Sequence, residues 1–206
     1  MLHYTTIDTP TLELLTSLMK IPEFADLRLV GGTSLALQLG HRTSVDIDLF
    51  GKIDIEDFEL NNLINALGNA TPLKKSPNIF IYLINNIKVD FVNYPYAWIE
   101  DAVIEGTLKL AGKKDIAAMK LSAITGRGSK KDFLDLYFLL KEFSIGEMLD
   151  FYKRKYTDGS EFLVLKSLTY FADAEKNEMP KMFNRVFWPE VREAIIHAVD
   201  DYLSTQ

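Results

Sequence analysis

The chain has 206 residues, no cysteine, 48% hydrophobic and 25% charged residues, and a net charge of −6. That balance suits an ordinary globular protein of one large domain or two small ones, with a core that needs no staples. It excludes disulfides and thiolate metal sites, and it excludes a general nucleic-acid coat, which needs net positive charge. No apolar run reaches bilayer length, and the start, MLHYTTIDTPTLELL, lacks the basic end and apolar stretch of a signal peptide. A cytoplasmic protein with no membrane partner is expected.

Thr9-Pro10 reads as cap and first residue of a helix with Glu13 in its first turn, ending before Pro22. Residues 27–30 read as a strand entering Gly31-Gly32, and residues 33–39 as a short helix closed by Gly40. Residues 45–50 alternate as a strand. Asp54 is placed to cap a helix running to about residue 67 and ended by Gly68. Strands over 79–84 and 87–92 flank Asn85-Asn86, a tight-turn pair. After Pro95 the pattern reads as helical almost to the end. Asp115 and Ser129 read as caps, Ser144 with Glu147 as a capping box, and Pro189 as the opening of a last helix to about residue 203. The weak boundary at 106–114 divides the chain into an α/β core, residues 1–108, and a helical region, residues 109–206.

Asp46 and Asp48 lie two apart in a strand, so they share a face, while Val45, Ile47 and Leu49 point into a core. Two carboxylates so close ionise together only with a cation between them, and a hard divalent ion such as Mg²⁺ is the natural partner. The plain rival is a pair of solvent-facing aspartates on an edge strand. Gly31-Gly32 follows a strand and opens a helix, where backbone N–H groups and the helix terminus at Thr33-Ser34 favour phosphate; a simple strand-to-helix turn explains them equally well. Asp90, in IKVDFV, alternates with Lys88 and Val92, opposite Val89 and Phe91. It is a candidate third carboxylate, or the acceptor of a hydroxyl proton. Arg42 is a candidate grip on a phosphate oxygen, and His41 a bystander. Neither a P-loop nor a dinucleotide fingerprint is present.

Charge is uneven. Lys109, Lys113, Lys114, Lys120, Arg127, Lys130 and Lys131 stand against Asp115 alone over residues 109–131, a local balance of +6. This is either a solvated face or a phosphate site.

GGTSLALQLGHRTSVDIDLF resembles the AbiEii/AbiGii toxin family of nucleotidyltransferases, within the polymerase-β-like superfamily. The resemblance implies an α/β (α+β) nucleotidyltransferase core with a mixed sheet, then a helical C-terminal half, with the active site between them. It implies Mg²⁺-dependent transfer (Mn²⁺ as alternative) of a nucleoside monophosphate from an NTP, releasing pyrophosphate. It also implies a bacterial toxin–antitoxin or phage-defence role with a cognate antitoxin. By the match, Gly31, Gly32 and Thr33 hold the triphosphate, with Ser34 beside them. Asp46 and Asp48 hold metal, and Asp90 is a looser match for the third ligand.

KKDIAAMKLSAITGRGSKKDFLDLYFLL also resembles this family, where a lysine and an aspartate at the positions of Lys120 and Asp132 belong to the active site. Read alone, Lys120 sits mid-way on an apolar helix face, with Ala118 and Ser122 on the opposite side. It is a snorkelling lysine or an ammonium aimed at NTP phosphates, and the second reading is favoured. Asp132, third after Ser129, also fits a cap of its own helix. Arg127, Lys130 and Lys131 are candidate phosphate ligands, and Phe133, Tyr137 and Phe138 are core. The local positive charge favours an RNA acceptor, tRNA above others. The alternatives are a hydroxyl on a protein or small molecule, a catalytically silent nucleotide-binding module, and a structural α+β domain.

Overall fold

Asn85 and Asn86 adopt φ of 50° and 67°, the left-handed pair that a two-residue hairpin turn requires. The strands on either side pair antiparallel from Ile84↔Ile87 outward. The computed structural model describes residues 1–205, in two compact units. The first comprises Met1–Gly40, Ser44–Pro95 and Ala102–Ala111; the second comprises His41–Thr43, Tyr96–Asp101 and Gly112–Gln206.

The first unit runs α1 (Thr9–Leu18), β1 (Arg28–Leu29), α2 (Gly31–Leu39), β2 (Ile47–Gly51), α3 (Asp57–Ala66), β3 (Ala70–Ser76), β4 (Ile79–Ile84), β5 (Ile87–Asn93), β6 (Val103–Glu105) and β7 (Leu108–Leu110). Its sheet has the order β3-β4-β5-β2-β1-β7-β6. β2/β5 and β1/β7 are parallel and the other pairs antiparallel, so the sheet is mixed. One face buries Leu29, Ile47, Leu49, Val89 and Phe91 with Leu15 and Leu18 of α1 and Leu60 and Ile64 of α3. That alternation leaves Asp48, Lys88 and Asp90 on the other face.

Four expectations are corrected in this unit. The cap of α1 is Asp8, whose carboxylate accepts from the Thr11 N–H at 2.8 Å. Asp54 does not cap α3, which begins at Asp57 behind Glu56. Val45 precedes β2 and is 56% exposed instead of pointing into the core. The stretch after Pro95 is not helical at once, because β6 and β7 form a hairpin turned at Gly106, φ 60°. β3 also escaped the sequence reading. It is an exposed edge strand whose register shifts between Pro72 and Lys74, where proline and polar side chains are tolerated.

The second unit holds α4 (Lys113–Gly126), α5 (Lys130–Leu139), α6 (Ile145–Lys155), α7 (Glu161–Leu168), α8 (Ala172–Glu175) and α9 (Trp188–Ser204). The Ser144–Glu147 capping box closes in both directions at the start of α6. Asp115 does not cap α4. It is fully buried, accepts from the N–H groups of Ile99 and Glu100 at 2.9 and 3.2 Å, and pairs with Lys155 at 2.7 Å. Lys155 also donates to the Ala97 carbonyl at 2.8 Å, so residues 96–101 are fastened to α4 and α6. Ala118 is fully buried, so α4 is enclosed on the side where the sequence placed solvent. Among the described residues no helix is long and apolar enough to cross a membrane.

Candidate active site

In the first unit the β1–α2 turn is built against the aspartate strand. Gly31 has φ 66°, and a Cβ there would lie 2.4 Å from Asp48 Oδ2. Both the backbone angle and the carboxylate demand glycine. The Val30 N–H donates to the Asp48 carbonyl at 2.9 Å. The Thr33 hydroxyl bonds Ser44 Oγ at 2.8 Å and also reaches the Asp46 carbonyl. Thr33 and Ser34 are buried, and Gln38 Nε2 lies 3.2 Å from Ser34 Oγ. Their side chains therefore hold the turn together, and what α2 offers a phosphate is the N–H groups of its first turn and its positive end. Val30, at the cap position, makes no side-chain capping bond.

Asp48 stands opposite Asp90 in the parallel β2/β5 register. Adjacent strands lie about 4.8 Å apart, so the two carboxylates emerge side by side on one face. Asp90 is ion-paired to Lys88 on the same face. Among the described residues no three His, Asp or Glu side chains converge into a metal-holding cluster, so the structure does not assemble the expected three-carboxylate set. Mg²⁺ is commonly bound by one or two carboxylates with substrate phosphates and water completing its shell. The hard oxygen donors of Asp46 and Asp48 fit that manner of binding.

Gly31→Ala tests the turn. The left-handed backbone penalises alanine by about 1–2 kcal/mol. The new methyl meets the end of the Asp48 side chain, which must swing away. The expected outcome is a modest loss of stability in urea titration and a much larger loss of nucleotide transfer.

In the second unit a buried ionic hub joins three helical positions to residues 41 and 42. Lys120 Nζ lies 2.9 Å from Asp132 Oδ1 and 2.6 Å from Asp135 Oδ2. Arg42 grips Asp135 with Nε at 2.7 Å and Nη2 at 2.8 Å, and His41 Nε2 is 2.8 Å from Asp135 Oδ1. Arg127 holds Asp132 through Nε and Nη2 at 2.8 and 2.9 Å, and the Ser129 hydroxyl also donates to it. Burial raises the cost of charge on Asp135, but Lys120 and Arg42 outweigh it and hold its pKa well below the carboxylate range. Burial likewise opposes ionisation of Asp132, and Lys120 and Arg127 overcome it. Burial would pull Lys120 down, yet Asp135 and Asp132 leave it raised. Lys120 is therefore a fixed cation, unsuited to general-base work. Because the ionised Asp135 only accepts, His41 donates from Nε2, leaving Nδ1 buried without a partner beside the Phe138 ring.

These pairings revise several expectations. Arg42 is 3% exposed and spends its guanidinium on Asp135 and the Thr43 carbonyl, so it is not presented to a phosphate. Lys120 does not snorkel; it is locked between two aspartates. Ser129 holds the cap position of α5 without a side-chain capping bond, and the Asp132 carboxylate is taken by Lys120, Arg127 and the Ser129 hydroxyl. Lys130 is buried against Asn177, with its ammonium 5.2 Å from the Trp188 ring centre, so it is structural. The positive stretch 109–131 is partly neutralised: Lys113 pairs with Glu142 and Lys114 with Glu100, while Lys109 keeps its charge and donates to the Ala25 carbonyl. Asp135 escaped the sequence reading. Its one local signal is a carboxylate enclosed by Phe133, Leu134 and Leu136.

The family model described as nucleotidyl transferase AbiEii toxin, type IV TA system, matches residues 13–110. That span holds Gly31, Gly32, Asp46, Asp48 and Asp90 and ends before Lys120. An uncharacterized protein of Aquifex aeolicus is 36% identical over 184 residues, covering 86% of this chain and 88% of that one. Among solved structures, JHP933 from Helicobacter pylori is similar with a TM-score of 0.54 and 16% identity, over 94% of this chain and 92% of that chain. MenT4, a nucleotidyltransferase toxin from Mycobacterium tuberculosis, gives a TM-score of 0.60 at 18% identity, over 91% of this chain and 80% of that chain. At these identities the two structures share the fold.

Proposed function

Since the chain belongs to the AbiEii family of nucleotidyltransferase toxins and is itself a nucleotidyltransferase, we propose that it moves a nucleoside monophosphate from an NTP to an RNA acceptor, tRNA foremost, in the cytoplasm, as the toxin partner of a cognate antitoxin or in phage defence. The observation that carries the transfer is the seat of Asp48 against Gly31 at the head of α2, which sets a carboxylate beside the backbone N–H groups suited to phosphate. The acceptor oxygen bonds to the α-phosphorus, the bond to the β-phosphate oxygen breaks, and pyrophosphate leaves. Asp90 takes the hydroxyl proton. Mg²⁺ or Mn²⁺ held by Asp46 and Asp48 would neutralise charge on the triphosphate. The first-turn N–H groups at Gly31, Gly32 and Thr33 orient the phosphates, while the Ser34 N–H is donated to the Val30 carbonyl at 3.3 Å and Ser34 supports the turn beside them. Lys120 is carried over from the family resemblance as a permanent cation of the second unit, its charge held by Asp132 and Asp135.

The cations at 109–131 no longer support an RNA acceptor, because most are bound to carboxylates or carbonyls. The support left for it is the resemblance to a toxin family, some of whose members act on tRNA. The partly neutralised stretch favours a second reading, in which the acceptor is a hydroxyl on a protein or small molecule.

Purified protein with Mg²⁺, each α-labelled NTP in turn and total cellular RNA separates the readings. Label on tRNA-sized bands with one NTP is the expected result. Label on protein, or pyrophosphate release without labelled RNA, would remove the RNA acceptor. Binding of NTP with no pyrophosphate release would leave a silent module.

A further inference from the structure

The stretch MPKMFNRVFWP, residues 179–189, runs from behind α8 into the first residues of α9. Its backbone is fixed at both ends. The Thr43 N–H donates to the Lys181 carbonyl at 2.9 Å, the Phe183 N–H donates to the His41 carbonyl at 3.0 Å, and Arg42 bridges antiparallel to Met182. At the other end Trp188 stands edge-on to Phe133 and Phe171, at 6.1 and 5.9 Å between ring centres. Between these anchors Met179, Phe183 and Phe187 are 39%, 44% and 46% exposed. Exposed apolar side chains also occur at Phe162, Leu163 and Tyr170; those of 179–189 differ in alternating with cations on a braced backbone. Lys181, Asn184 and Arg185 are exposed beside them. The Arg185 guanidinium lies 4.6 Å from the Phe187 ring centre, a cation–π arrangement.

Exposed rings with cations between them and no anion in the stretch match the chemistry of single-stranded nucleic acid: bases stack on rings and phosphates meet cations. An apolar protein partner would use the rings and leave two cations unanswered. We propose that residues 179–189 bind a single-stranded segment of the RNA acceptor, with Phe183 and Phe187 stacking on bases and Lys181 and Arg185 holding phosphates. This rests on the RNA-acceptor reading of the transfer. The braced backbone means the rings need little ordering when RNA arrives, so less of the stacking energy is spent on it.

The test uses the full chain and a 5′-labelled single-stranded RNA of about 12 nucleotides, enough for a site of the size such grooves take. Phe183→Ala and Phe187→Ala should each weaken binding roughly tenfold, the scale of one lost base stack. Lys181→Gln with Arg185→Gln should flatten the slope of log affinity against log salt by about 1.4, near 0.7 for each single-strand phosphate that the protein no longer neutralises. A merely structural loop would not change that slope. Circular dichroism and NTP binding without RNA should match the parent protein. Unchanged affinity in the ring variants, an unchanged salt slope, or equal losses on duplex RNA would each overturn the assignment. If the parent labels RNA and the variants label it with the same KM, the assignment fails and the acceptor reading stands. If the parent neither binds nor labels RNA, both fall.

Discussion

Asp48→Ala is expected to abolish NTP-dependent labelling and leave the fold intact. The side chain is half-buried on the face of β2 opposite the core, so its loss opens no cavity among Ile47, Leu49, Val89 and Phe91. The backbone contribution of residue 48, the bond from the Val30 N–H, survives any substitution. What disappears is the carboxylate set against Gly31. Losing one preorganised electrostatic group in an active site lowers turnover by roughly a hundredfold to a thousandfold, and the upper end is expected on the proposal that Asp48 holds metal. Asp48→Asn keeps the shape and removes the charge, and should be nearly as inactive. The readout is transfer of α-label, with circular dichroism and thermal melting as fold controls. Either variant labelling at a tenth of the parental rate would show that Asp48 is not part of the chemistry.

Asp135→Ala produces the largest expected loss of stability. It strands Lys120 and Arg42, which are 4% and 3% exposed, without their shared counter-ion. Breaking a buried pair from one side costs about 3–5 kcal/mol. In a protein of this size each kcal/mol lowers the melting temperature by about 2–4 °C, so a drop on the order of 10 °C is expected. Lys153→Ala removes a surface pair with Glu161 and should cost under about 1 kcal/mol. Equal melting points for the two variants would refute the hub's structural role.

The pH dependence follows from the same shifts. Asp132 and Asp135 have depressed pKa values, so their contribution is present above the ordinary aspartate value of about 3.9 and lost as pH falls through the lower folded values. Lys120 is raised, so its contribution is full below about 10.4 and lost as pH rises through its higher folded value. Between those limits the hub should lend a nearly constant stability, measurable as the difference between the parent and Asp135→Ala melting curves.

Signals that lie within a few residues were readable from the sequence. Asn85-Asn86 specified the hairpin, Ser144 with Glu147 specified the capping box, and the alternation around Asp48 and Asp90 put both carboxylates on one sheet face. The Gly31–Asp48 approach lay hidden in two motifs that sequence could only set side by side. The β6–β7 hairpin was missed although Gly106 marks its turn, because three-residue strands carry too little alternation to outweigh the helical stretch behind them. Asp135 was missed for a different reason. Its partner Arg42 is 93 residues away, and nothing near either residue announces the other. For that reason Arg42 was assigned to a phosphate when its charge was already committed.

The segments 41–43 and 96–101 belong to the helical unit although their neighbours on both sides belong to the sheet unit. The polypeptide is thus woven and not simply concatenated. A truncation at residue 111 would release a helical fragment lacking two of the side chains that bind Asp135 and the segment that shelters Asp115 and Lys155. No single cut yields both pieces whole, so shuffling either half into another protein by a simple fusion would carry a broken module. For this chain the heritable unit of architecture is the entire gene segment, and its two parts can be exchanged only by moving residues 41–43 and 96–101 with the helices they complete.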